Sequence, residues 1–420
     1  MQHSFTSHDD VRIADSVLSR FLRYVRYWTT SDRHGTETPS TPGQWDLAKA
    51  LVQELRDLGL TDVALTDHCY VIARLPATPG KETAATVGFM AHLDTADEVS
   101  GKDVQPQVLE AYDGSKICLA GAQVLDPEQD ADLAAQKGKT LVHTDGTSLL
   151  GADDKAGIAE IMTAVEYLQA HPEYPHGPVE VIFTPDEETG KGLPLFPREQ
   201  LTAQACYTLD GGSLGELEVE CFNAYRAEIH CTGKPMHLGY ARGRMVNAVL
   251  MAASFAVMLP RTESPEATDG YYGYYCPLEI QGNPAAASLE VYIRDFDRAG
   301  AERRVAALDQ FARAVEAQFP GGTVQVQVQA QYYNMKERID AHPAVLEMLK
   351  KAAFQAGVEF HLKPIRGGTD GSRLTELGIP TPNIFTGGRN WHSPLEWVAV
   401  PDMVAACKVV IALIRLWGAG

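Results

Sequence analysis

Near the start of the chain, Val11, Leu18, Phe21, Leu22, Val25 and Trp28 recur on one stripe, the spacing of an amphipathic helix. A Gly/Pro/Thr-rich loop follows. Thr41-Pro42 then offers an N-cap and an N1 proline to a second helix, which Leu47, Leu51, Leu55 and Leu58 carry to a stop at Gly59. From there short apolar strands alternate with helices, which predicts an α/β layer around a largely buried sheet. Strands over 86–91, 179–184 and 206–209 each end just before a polar cluster. Between the first two, Ile158, Ile161, Met162, Val165 and Leu168 mark a helix that begins directly after Asp153-Asp154-Lys155. Open α/β sheets bind ligands at the carboxyl ends of their strands, so His92, Glu187, Glu188 and Asp210 should emerge along one edge.

Around residue 220 the texture changes to a strand over 218–231, a helix over 245–259, strands over 274–280 and 287–294, a helix over 298–319 and a strand over 323–331. This βαββαβ order is the split-βαβ, ferredoxin-like plan of a small domain. Alternating Val324, Val326 and Val328 support its last strand, and Val305, Leu308, Ala312 and Val315 its second helix. Helices starting at Pro343 and Pro401 return the chain to α/β texture. The expected organisation is a discontinuous main domain, 1–219 and 334–420, interrupted by a lid at 220–333. No internal repeat is visible, and the polar loop over 33–43 is the one low-complexity stretch.

Composition narrows the partners. The 420 residues carry 55 acidic against 36 basic side chains, a formal charge of −19; such a surface repels nucleic-acid phosphate and anionic lipid, so neither nucleic acid nor membrane is an expected partner. Met1-Gln2-His3-Ser4-Phe5-Thr6 lacks a basic region followed by an apolar one, no apolar run is long enough to span a bilayer, and the seven cysteines are scattered without a Cys-x-x-Cys pair. The expectation is a cytoplasmic protein with reduced thiols.

The clusters at the strand ends carry the chemistry. Divalent ions such as zinc favour imidazole nitrogen and carboxylate oxygen, and two ions held close together need a bridging carboxylate against their mutual repulsion. Asp153, at a tight turn before a helix, suits that bridge, with Lys155 nearby to balance excess negative charge. Adjacent Glu187 and Glu188 leave an extended backbone in opposite directions, so one can bind metal while the other faces the water to be activated. Asp94, two residues beyond His92, can accept the imidazole's second N–H and fix its tautomer. Taken singly, His-x-Asp, Glu-Glu or an Asp-Asp-Lys helix start are each more often surface or capping features; their succession along one sheet edge changes the odds. Gly211-Gly212-Ser213-Leu214-Gly215 matches a nucleophile elbow, but the following residues read as strand where the elbow needs a helix.

The segments His92-Leu93-Asp94-Thr95, Leu149 to Gly157, Phe183 to Glu188, Ile293 to Asp297, Pro364 to Gly371 and Asn383 to Gly388 together resemble, in order and along nearly the whole chain, the tripeptide aminopeptidase branch of the co-catalytic zinc exopeptidases. That family also includes aminoacylases and glutamate carboxypeptidases. The resemblance implies two zinc ions, replaceable by cobalt or manganese, one held by His92, Asp153 and Asp210 and the other by Asp153, Glu188 and His392. It implies Asp94 as the residue orienting His92, Glu187 as general base, and a cis peptide between Asp153 and Asp154. It also implies that His237 and Arg294 of the lid, together with Arg366, bind substrate, His237 at the oxyanion and the arginines at the peptide carboxylate. Family members commonly carry proline after that histidine, whereas Leu238 stands here. The expected partner is a short peptide, with a homodimer possible. A dipeptidase, an N-acyl-amino-acid deacylase and a non-catalytic peptide-binding relative remain open alternatives.

Overall fold

The computed structural model describes residues 7–419. The chain divides into two compact units, one of Met1–Val219, Arg338–Lys363 and Thr369–Gly420, the other of Glu220–Glu337 and Pro364–Gly368.

The first unit is built on an eight-stranded mixed sheet in the order Asp62–Leu65, Val71–Leu75, Val179–Thr184, Val87–His92, Ala205–Gly211, Asn383–Phe385, Glu216–Cys221, His361–Ile365. Its four central strands run parallel: Val87–His92 pairs in parallel with both Val179–Thr184 and Ala205–Gly211, and Asn383–Phe385 with Ala205–Gly211. Val87–His92 and Val179–Thr184 are buried at every position, as a sheet covered on both faces requires. Phe89 and Tyr207 point into the larger core, under helices His8–Tyr24, Ala152–Ala170 and Val400–Ala419. Met90, Ile182 and Cys206 point the other way, onto Leu193, Phe196, Leu374 and Ile379.

A second, four-stranded sheet in this unit joins Gln107–Leu109, Leu141–His143, Trp397–Ala399 and Gly388–Arg389 around Tyr112, Leu125, Leu133 and Trp397. Periodicity could not foresee it, because its strands are two or three residues long and come from distant parts of the chain. The helix Ala152–Ala170 lies so close to strand Ala205–Gly211 that a Cβ on Gly157 would sit 2.1 Å from the Leu209 carbonyl oxygen and 2.4 Å from Asp154 Oδ1.

The other unit has strands Asn223–Thr232, Tyr274–Gly282, Ala286–Asp295 and Thr323–Tyr332 with helices Ala248–Met258 and Arg298–Gln318. All its strand pairings are antiparallel, with Ala286–Asp295 and Asn223–Thr232 in the centre. This is the ferredoxin-like arrangement expected from the βαββαβ order. Tyr225, Ile229, Met251, Phe255, Val291 and Leu308 fill its core.

Three details depart from expectation. The strand expected over 218–231 is two strands in two sheets, Glu216–Cys221 and Asn223–Thr232; Phe222 alone separates them, so the apolar alternation hides the transfer. The first helix ends at Tyr24, leaving Trp28 outside it and 54% exposed. Pro42 is the N-cap of Gly43–Asp57 rather than its first helical residue. Among the described residues no helix is long and apolar enough to cross a membrane.

Candidate metal centre

His92 closes strand Val87–His92, and its backbone N–H donates to Asp154 Oδ2 (3.1 Å). Its ring Nδ1 lies 3.1 Å from the Asp94 carbonyl and 3.3 Å from Asp94 Oδ1. Both partners are acceptors, so Nδ1 carries a proton and Nε2 faces the opposite way. There it meets Asp153 Oδ1 at 2.9 Å and Asp210 Oδ1 at 3.7 Å. The second oxygen of Asp153 faces another set: His392 Nε2 is 3.4 Å from Asp153 Oδ2 and 3.1 Å from Glu188 Oε2. Thus two groups, His92–Asp153–Asp210 and Asp153–Glu188–His392, each bring three possible ligand atoms within 4.8 Å of one another and share Asp153.

Local sequence explains the placement. Gly151 caps the helix Ala152–Ala170 at φ 80°, a left-handed conformation suited to glycine, and the Asp153-Asp154 peptide is cis. The Asp94 carboxylate accepts the backbone N–H groups of Glu187 (3.0 Å) and Glu188 (3.2 Å), so one buried side chain orients the imidazole and holds the Glu-Glu turn. Asp186, at φ 56°, leads into that turn. Its carboxylate accepts from the Ser40 N–H (2.7 Å) and hydroxyl (2.5 Å) and from Gln44 Nε2 (2.7 Å). The polar stretch that reads as a plain connector is therefore a buttress for Glu187 and Glu188. His392 is itself left-handed, at φ 54°.

The electrostatics of the donor set fit cations. Burial pushes the Glu188 carboxyl up to about 8 and Asp210 up to about 6, and burial together with Asp210 drives Glu187 well above the usual carboxyl range. Although burial opposes its charged form too, Asp153 is held below its ordinary value by His392 and His92. Burial also opposes a charged His392, yet Asp153 and Glu188 raise the ring to about 12. So many acids around two imidazoles lack positive charge. Glu188 Oε1, buried, has no hydrogen-bond partner, and His92 Nε2 avoids setting its lone pair against the Asp153 and Asp210 oxygens only by holding a proton, which these acids favour although burial opposes it. Divalent ions would resolve all three features.

Lys155 is buried as well, but its Nζ donates to the Tyr27 carbonyl (2.8 Å) and forms no direct ion pair with the acids. Burial lowers it to about 7, against the raising fields of Glu396 and Asp94. Ser213 is followed by the strand Glu216–Cys221 and its hydroxyl reaches Asp132 Oδ2 at 3.5 Å, which leaves no nucleophile elbow.

Residues 139–416 match the model of Peptidase family M20/M25/M40. The chain belongs to this family. A protein named Peptidase T from Geobacillus thermodenitrificans is 48% identical over 403 residues, covering 96% of this chain and 98% of the relative. A Peptidase T from Clostridium perfringens is 46% identical over 401 residues, with the same coverage. Among solved structures, the aminopeptidase PepT from Bacillus cereus matches with a TM-score of 0.72 at 23% identity, over 97% of this chain and 99% of that one. A dinuclear metal-binding M20 peptidase from Bacillus subtilis matches with a TM-score of 0.64 at 15% identity, over 96% and 98%. Membership makes this chain a metallopeptidase.

In this M20 chain the remaining candidates lie in the second unit. His237 is exposed, and its Nδ1 accepts the Gly239 N–H (3.2 Å), so a neutral ring carries its proton on Nε2. Arg294 is buried over Tyr292 and Tyr332, at 4.7 and 5.5 Å from their ring centres, and its Nη1 donates to the carbonyls of Tyr225 and Ile293. Arg366 spends both terminal nitrogens on Gly270, Tyr272 and Thr268.

Sequence reading missed three acids of the centre. Glu98 Oε2 lies 3.4 Å from His392 Nδ1. Asp370, at the start of helix Asp370–Glu376, is pushed up to about 7 by burial. Glu396 accepts four backbone N–H groups beneath Asp153. Only Glu396 left a signal: an acid at the edge of an apolar run, Glu396-Trp397-Val398-Ala399-Val400, where burial demands a partner.

Proposed function

We propose that this chain is a metal-dependent aminopeptidase that releases the N-terminal residue of tripeptides, with two divalent ions held by His92, Asp153 and Asp210 and by Asp153, Glu188 and His392. Zinc suits the mixed nitrogen and oxygen donors, and cobalt or manganese would also be accepted. The observation that carries the reading is the division of Asp153's two oxygens between two separate ligand groups. The Peptidase T relatives support the peptidase activity, and a solved tripeptidase from Staphylococcus aureus, with a TM-score of 0.75, shares the fold at 20% identity.

When bound, the ions would supply Lewis acidity, easing deprotonation of water and polarising the scissile carbonyl. The protein's own part falls on a few side chains. Glu187 takes the proton from the attacking water and returns it to the departing amine. Asp94 keeps the His92 proton on Nδ1 and fixes the backbone of Glu187. The Nε2–H of His237 is a donor for the oxyanion. Arg294 receives the peptide carboxylate, while Arg366 secures the loop around Thr268 to Tyr272.

The test is a metal assay on the purified protein coupled to hydrolysis of free-amine tripeptides, dipeptides and N-acylated amino acids, each with and without chelator. Two ions per chain and chelator-sensitive release of the N-terminal residue, fastest from tripeptides, are expected. Preference for N-acylated amino acids would replace the reading with a deacylase, and no hydrolysis with ions bound would leave a binding protein.

A further inference from the structure

The helix Ala152–Ala170 starts with a glycine cap that has no side chain to offer, so the amides entering it need acceptors from elsewhere. A single carboxylate supplies them. Glu396 Oε2 accepts the N–H groups of Leu150 (2.7 Å) and Gly151 (2.8 Å), and Oε1 those of Ala152 (2.7 Å) and Asp153 (3.2 Å). The side chain is 1% exposed. Negative charge at a helix start is favourable in itself, but two further facts give this contact a bearing on the site. The last of the four amides belongs to Asp153, the residue common to both ligand groups, and His392 of the second group lies in the same short loop as Glu396, four residues earlier.

We propose that Glu396 is a positioning residue for the hydrolytic reaction: it ties the loop that presents His392 to the turn that presents Asp153 and so sets the spacing of the ligands they share. This rests on the two-ion reading above. The four-way grip is specific to a carboxylate at this length. A glutamine keeps one oxygen, enough for two of the amides, and turns an NH2 toward the other two. An aspartate is one methylene short and must either release amides or draw the His392 loop inward.

The test compares wild-type protein with Glu396→Gln and Glu396→Asp by chelator-competition titration with Zn2+ alone, followed by steady-state kinetics on a tripeptide at saturating Zn2+. Circular dichroism of the chelator-treated proteins reports whether each variant folds. The expected result is a folded Glu396→Gln that binds one of its two ions at least about tenfold more weakly, with kcat down at least about tenfold and KM within about threefold. Glu396→Asp should lie between. Two wild-type-like affinities in either folded variant, with kcat preserved, overturn the proposal. Failure of both variants to fold also overturns it, since Glu396 would then serve folding alone. Wild-type protein that binds fewer than two ions would instead remove the two-ion reading and this inference with it.

Discussion

Replacing Asp94 with asparagine tests the centre through a residue that need not touch metal. Asp94 Oδ1 accepts the Glu187 N–H at 3.0 Å and lies 3.3 Å from His92 Nδ1, while Oδ2 accepts the Glu188 N–H at 3.2 Å. An asparagine must place its one oxygen toward Glu187 and His92, because the alternative sets its NH2 against two donors; the Glu188 N–H then faces the NH2. One hydrogen bond to a charged acceptor is lost, about 1.5 to 3 kcal/mol, and those that remain fall to roughly half strength as the charge goes. A total near 3 kcal/mol corresponds to about a hundredfold fall in kcat/KM. The assay is tripeptide hydrolysis at saturating zinc, with bound metal counted on the same samples. Loss of activity with both ions retained would place the damage at Glu187, and loss of one ion would place it at His92. A variant within about threefold of wild type on both measures would refute the coupling of these residues through Asp94.

Other outcomes follow from the same geometry. Glu187→Gln should retain both ions and lose about 100- to 10,000-fold in kcat; disappearance of metal along with activity would make Glu187 a ligand instead of the base. Gly157→Ala inserts a methyl 2.1 Å from the Leu209 carbonyl oxygen, so urea unfolding should show a loss of about 3 kcal/mol, and an unchanged midpoint would contradict the close approach of helix and strand. Glu160 lies buried in the helix Ala152–Ala170 with both side-chain oxygens unpartnered, and burial drives its carboxyl well above the usual range. Its raised folded pKa means that the native state holds a proton the unfolded chain gives up above about pH 4.5. Its contribution to stability is therefore full below that pH and declines as pH rises. Glu160→Gln should unfold at a higher temperature than wild type at pH 8, with the difference closing toward pH 4; equal melting curves across that range would rule out a buried protonated acid.

The sequence made the sheet edge legible because burial on both faces leaves uninterrupted apolar runs, and the polar residue ending each run stands out, as His92 does after Val87 to Ala91. The pairing of ligands into two groups around Asp153 came from the family resemblance instead, since Asp153 lies at the start of a helix and His392 in a loop, and neither ends an apolar run. Side chains that act by gripping backbone were not foreseen: Asp186 is pinned by Ser40 from a loop with no periodicity and by Gln44 at the start of helix Gly43–Asp57, and Glu396 meets amides 243 to 246 residues away. Backbone N–H groups look alike in every sequence, so contacts made to them leave no chemical signature. The Glu216–Cys221 and Asn223–Thr232 boundary stayed hidden for a related reason, since the alternation of apolar residues continues through a change of sheet.

Asp153 stands near the first third of the chain, whereas His392 and the Glu396 grip on its turn come from the last thirty residues. During synthesis by the ribosome, then, the earlier ligands emerge long before their partners. On the two-ion reading a nascent chain holds four of the five ligands but cannot complete its second group until it is almost finished, and a product truncated before residue 392 should be inert even if the rest of its sheet had formed.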